Sequence, residues 1–155
     1  MAQRVDERDQ TRVELDAYNK VLKLNDFILS VCKPKDKNVN NHHIPKRNVG
    51  LGRQLMDAVV ECGADILEAN EIYVGKNLSS EQRLKNYEDR IELEEHARRL
   101  TYRMEHILRV LHFDKPFAES TIKMSMDLLC ETRAIIIKWK ESDVKMSNQL
   151  RKGVI

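Results

Sequence analysis

The side chains whose type and spacing could do chemistry are mainly arginines. Arg99 and Arg103 stand four residues apart, Arg98 and Arg109 flank them, His96 lies within a turn of Arg99, and His106 follows Arg103 by three. On a helix, where each turn advances about 5–6 Å, such a row can meet successive phosphates of a nucleic-acid backbone. Lys46, Arg47 and Arg53 form a second basic group around Gly50-Leu51-Gly52. The competing reading is a solvated face, because Glu92, Glu94, Glu95 and Glu105 are placed to pair with several of the arginines. Aromatic residues make up only 5% of the chain, so recognition would rest on phosphates and helix shape, with little base readout.

Other chemistries lack their residues. A di-metal site in a helical bundle needs Glu-x-x-His on two helices, since that spacing turns both ligands inward. The residues three before the histidines are Val39, Asn40, Leu93, Arg103 and Arg109, so no such pair exists. His42-His43 lies beside Lys46 and Arg47 without a carboxylate or cysteine cluster, and reads as a solvated or phosphate-facing pair. Gly50-Leu51-Gly52 is followed by Leu55 where a dinucleotide loop wants glycine, and is better explained as a tight helix entry or a close backbone approach. No Gly-x-x-x-x-Gly-Lys, His-Glu-x-x-His or nucleophile-elbow serine occurs. Glu61, Asp65 and Glu68 follow helical steps and suit a solvated or subunit-facing acidic side. No enzymatic activity, cofactor or metal is therefore expected.

Elements able to carry these residues follow from composition. The chain has 155 residues, 41% apolar and 34% charged, with 5 Gly and 3 Pro, which suits one helix-rich domain and leaves few turn residues for an all-β fold. No apolar run reaches the roughly 18 residues of a membrane span and the first residues are too polar for a signal peptide, so a cytoplasmic location without membrane contact is expected. The net charge of +2 sums segregated stretches. Residues 33–54 and 96–115 are basic and residues 55–80 acidic, a pattern that speaks of partners. Cys32, Cys62 and Cys130 are odd in number and fall in apolar phases, which predicts small buried side chains rather than a disulfide framework.

Apolar periodicity predicts four helices, over about 6–32, 50–74, 80–112 and 116–141. In the first, Leu15, Tyr18, Val21, Leu22, Asn25, Ile28, Leu29 and Cys32 share a face, and Pro34 ends it. The second carries Leu51, Leu55, Ala58, Val59, Cys62, Ile66 and Ala69, with Asp57, Glu61, Asp65 and Glu68 opposite. Gly63 inside it costs about 1 kcal/mol relative to Ala unless a close helix approach repays it. Ser79 and Gln82 have capping-box spacing before the long third helix, whose stripe runs Leu84, Tyr87, Ile91, Leu93, Ala97, Leu100, Met104, Ile107, Leu108, Leu111 and whose first turns are expected to project or bend. Phe117, Thr121, Ile122, Leu128, Leu129, Ile135, Ile136 and Trp139 line the fourth, and the fading pattern predicts a frayed tail over 143–155. Short connections between helices 2, 3 and 4 give an all-α, antiparallel up-down four-helix bundle over 1–142.

The run Ile44-Pro45-Lys46-Arg47-Asn48-Val49-Gly50-Leu51-Gly52-Arg53-Gln54-Leu55, continuing to Ile66-Leu67-Glu68-Ala69-Asn70, resembles the accessory variability determinant proteins of diversity-generating retroelements. There a Pro-Lys-Arg-like turn leads to a Leu-Gly-x-x-Leu helix start and a Glu-Ala-Asn near the end of that helix. The arginine-rich Arg98-Arg99-Leu100-Thr101-Tyr102-Arg103 is similar too, and the likeness covers Tyr18 to Lys140. It implies a bundle assembled as a ring-like homopentamer with a positive surface. The partners it implies are a reverse transcriptase and its template RNA, with DNA or an RNA/DNA hybrid as further phosphate ligands. The role implied is support of mutagenic copying by a prokaryotic or phage-encoded element, without polymerase activity. The carriers would be Lys46, Arg47, Arg53, Arg98, Arg99, Arg103 and Arg109. A sister family, the four-helix proteins of ribosomal RNA intervening sequences, shares the Pro…Leu-Gly…Gln-Leu start. It implies instead a structural homo-oligomeric module without direct nucleic-acid binding.

Overall fold

The computed structural model describes residues 2–32, 49–114 and 119–153, with side chains over 16–32, 50–113 and 119–153. Its elements are α1 (Ala2–Cys32), α2 (Val49–Glu71), α3 (Ser80–Asp114) and α4 (Glu119–Arg151), with no strand among the described residues. Together they make a four-helix bundle in which α1 packs on α2 and α4, and α3 packs on the other sides of the same two helices. None of the helices is long and apolar enough to cross a membrane.

The buried residues recur in steps of three and four. The seam is Ala17, Val21, Leu24, Ile28, Val31 on α1 and Gly52, Leu55, Val59, Cys62, Ile66, Ala69 on α2. On α3 it is Arg83, Tyr87, Arg90, Glu94, Ala97, Thr101, Met104, Leu108, Leu111. Such alternation averages 3.5 residues and keeps a narrow stripe turned to the neighbours, as in coiled coils and most bundles. α4 keeps it through Ile122, Ser125, Leu129, Thr132, Ile136 and Trp139, then takes two four-residue steps to Asp143 and Ser147 before Leu150. The stripe expected on α1 is rotated from this seam. Ala17 and Leu24 are core, whereas Leu22 is exposed and Tyr18, Asn25 and Leu29 are half-buried.

Local signals explain the boundaries. Ser79 Oγ accepts from the Gln82 amide at 3.1 Å, capping α3, while the Gln82 side chain turns away to donate to Asn86 Oδ1 at 2.8 Å. The α2–α3 turn is held to α3 by Asn86 Nδ2 donating to the Tyr73 carbonyl at 2.6 Å and by Arg83 Nε donating to that of Val74 at 3.2 Å. At Gly63 a Cβ would stand 3.2 Å from Val21 Cγ1, so this glycine marks a close approach of α1 and α2. Gly50 and Gly52 both lie inside α2, and buried Gly52 offers its carbonyl to Cys32 Sγ at 4.0 Å. Gly52 is thus part of the helix packing against α1, while Gly50 faces open space.

Three expectations are corrected. The tail is not frayed: α4 runs to Arg151 and ends on Gly153 at φ 68°, with the Lys152 and Gly153 amides donating to the Asn148 and Leu150 carbonyls at 3.1 Å. The first turns of α3 do not project, because the last turns of α4 cover them: Arg151 reaches Glu88 at 2.7 Å. Cys130 is exposed, Cys32 half-buried and only Cys62 fully buried.

Candidate nucleic-acid interface

α3 presents two different outer surfaces. From Glu81 to Glu92 its exposed residues are Glu81, Gln82, Lys85, Glu88, Asp89 and Glu92; from His96 to Phe113 they are His96, Arg99, Tyr102, Arg103, His106, Arg109, His112 and Phe113, with no acid among them. Arg53 is exposed on α2. Lys46 and Arg47 lie outside the described residues.

The glutamates hold some of these arginines. Glu95 accepts from Arg98 at 2.6 and 2.8 Å and from Arg99 at 3.4 Å, and receives Lys140 of α4 at 2.6 Å. The Arg98 hydrogen bonds, followed by those of Lys140, hold the Glu95 carboxyl down at about 2 despite partial burial. Arg98 is correspondingly raised, and its side chain is only 30% exposed. It is the arginine least available to a ligand. Arg99 and Arg109 keep 72% and 69% of their side chains exposed, their pairs with Glu95 and Glu105 being 3.4 and 3.8 Å long. Such exposed pairs contribute about 0–1 kcal/mol and can be exchanged for phosphate contacts. Arg103 is exposed and enters no ion pair among the described residues.

Arg133 of α4 supports this surface from behind. Its guanidinium donates to Thr101 Oγ1 at 2.9 Å, to the Thr101 carbonyl at 3.2 Å and to Glu105 at 3.3 Å. It also lies 3.9 Å from the centre of the Tyr102 ring. Tyr102 is 46% and Phe113 89% exposed, so two aromatic surfaces stand among the cations.

On the α2 side the expectation of a solvated carboxylate row fails at Asp65, which is buried. His96 Nδ1 donates to Asp65 Oδ2 at 2.5 Å, and Glu61 lies 3.7 Å from the other ring nitrogen. Desolvation raises the Asp65 carboxyl even though the His96 hydrogen bond opposes it. His96 is thereby committed to an interhelical contact. A cleft of about 630 Å³ opens beside it, lined by Asp65, Glu68, Asp89, Glu92, Glu95, His96 and Arg99 among others.

Sequence reasoning missed a buried ionic cluster. Arg90 Nε and Nη2 donate to Asp143 at 2.9 and 3.3 Å, Glu94 lies 4.0 Å from Arg90, and Trp139 and Tyr87 put their rings 5.2 and 5.7 Å from the guanidinium. Arg90, Glu94 and Asp143 are 2%, 0% and 0% exposed. The available signal was phase: Arg90 and Glu94 continue the three-four spacing from Tyr87 to Ala97, as Asp143 does from Trp139. Among the described residues no group of three His, Cys, Asp or Glu side chains is arranged to hold a metal ion. The chain matches no protein-family model, no curated protein and no solved structure.

Proposed function

We propose that this protein is a non-enzymatic accessory subunit of a diversity-generating retroelement, binding the reverse transcriptase and its template RNA through the basic half of α3 to support mutagenic cDNA synthesis. The supporting observation is the acid-free exposed surface from His96 to Phe113, with Arg99, Arg103 and Arg109 available for phosphates. The resemblance around Lys46, Arg47 and Leu51-Gly52 supplies the choice of partner. On this reading the helices run up-down, copies assemble in a ring of five, and the complex works in the cytoplasm. Reversing Arg99 and Arg103 to Glu should abolish retention of a labelled template RNA with helicity unchanged; retention at wild-type strength across a salt series would refute the assignment.

The separation of charge favours a second reading. Glu61, Glu68 and Glu71 on α2 and Glu88, Asp89 and Glu92 on α3 expose acid, opposite in sign to the Arg99–Arg109 stretch, and the two could pair between copies of a purely structural oligomer. That reading expects the same double reversal to lower the oligomer mass in light scattering and the wild-type protein to leave RNA mobility unshifted.

A further inference from the structure

Resting on the basic-surface reading, we infer that the ligand of α3 is single-stranded nucleic acid, held by base stacking on Tyr102 and Phe113 as well as by phosphate contacts. Arg99, Tyr102, His106, Arg109 and Phe113 follow one another at steps of three and four, so two arginines and two exposed aromatic rings share the outermost ridge of the helix. Tyr102 and Phe113 are about 16 Å apart along the axis at 1.5 Å per residue, a length that suits the roughly 4–16 nucleotides of single-strand sites.

A ridge of arginines alone would favour duplex, where phosphates are densest at about one charge per 1.7 Å of axis. Exposed rings serve a different ligand, because only an unpaired base offers them a π face. At 89% exposure Phe113 is the most exposed large apolar side chain among the described residues, and it stands at the cationic end of the helix. Tyr102 is held rather than loose. Arg133, fixed by Thr101 and Glu105, backs it at 3.9 Å, and Arg98, occupied with Glu95, stands 5.6 Å away. The ring therefore keeps 46% exposure in a set position, held by the guanidinium behind it.

The test is fluorescence anisotropy with a labelled, unstructured RNA of about 15 nucleotides and with the same sequence as duplex, each over a salt series. The wild-type protein should favour the single strand, and Tyr102→Ala and Phe113→Ala should each weaken it about tenfold without changing the salt slope or duplex binding. Arg99→Gln with Arg103→Gln should weaken both ligands and flatten both slopes. Tyr102→Trp supplies a readout that does not depend on a truncated side chain: its emission should be quenched on saturation with the single strand. Preference for duplex, unchanged affinity of the alanine variants or unquenched Tyr102→Trp emission overturns the stacking inference and leaves the phosphate reading intact. Failure of wild type to bind either RNA removes the basic-surface reading itself.

Discussion

Arg90 and Arg99 are nine residues apart on one helix and do opposite things. Arg90 is sealed between Asp143, Glu94, Trp139 and Tyr87, whereas Arg99 keeps 72% of its side chain in water and only a 3.4 Å contact with Glu95. Arg90 sits on the three-four seam and Arg99 on the ridge facing away from it. The same side chain is a structural ion in one phase and an available cation in the other. Charge along a sequence becomes a statement about partners only after the phase of the helix is known.

The largest effect should come from breaking the buried half of this comparison. Asp143→Ala leaves Arg90 without its bidentate partner and should lower unfolding stability in urea by about 3–5 kcal/mol. The joint replacement Arg90→Met, Glu94→Leu and Asp143→Leu should recover most of that loss, because a well-packed apolar set avoids the desolvation cost of the three ions. On the exposed half, Arg99→Glu with Arg103→Glu should leave stability within about 0.5 kcal/mol of wild type while removing RNA binding. Equal destabilisation by the two sets would erase the distinction.

Smaller effects sharpen it. Gly153→Ala forces a Cβ into the left-handed conformation that ends α4 and should cost about 1 kcal/mol, detectable in thermal melting and absent if the last turn were frayed. Glu95 ties the exposed arginines to α4 through Lys140. The folded protein holds it deprotonated to about 2, while an unfolded glutamate takes up a proton near 4.5, so its pairs stabilise above that interval and the stabilisation is lost as pH falls through it. Solvent screening limits this to about 1 kcal/mol or less, and Glu95→Gln should flatten the corresponding part of a stability–pH curve.

The four helices, the Ser79 cap, the close approach at Gly63 and the exposed Arg99, Arg103 and Arg109 were legible in the sequence, since each depends on local spacing or side-chain chemistry. The seam of α3 was not. Leu84, Ile91 and Leu93 attract attention by residue type, yet they are half-buried while Arg83, Arg90 and Glu94 occupy the core phase. A charged residue holds such a position only with a partner, here the Val74 carbonyl of the α2–α3 turn for Arg83 and Asp143 of α4 for Arg90, and nothing near Arg90 in the chain points to Asp143. The same blindness made the end of α4 look like a tail: its buried residues there are Asp143, Ser147 and Leu150, only one of them apolar. Asp65 belonged to the acidic row by spacing and was drawn inward by His96.

The graded burial of the three thiols makes the chain a reporter of its own opening. Burial pushes Cys62 up to about 12 and Cys32 up to about 11, leaving both as unreactive thiols at neutral pH, while Cys130 stands exposed on α4. A maleimide should therefore label one site quickly in the folded protein and three in urea. The slow second and third additions would time two separate events, the parting of α1 from the start of α2 at Cys32 and of α2 from α3 at Cys62, whose Sγ lies 3.7 Å from the Ala97 carbonyl.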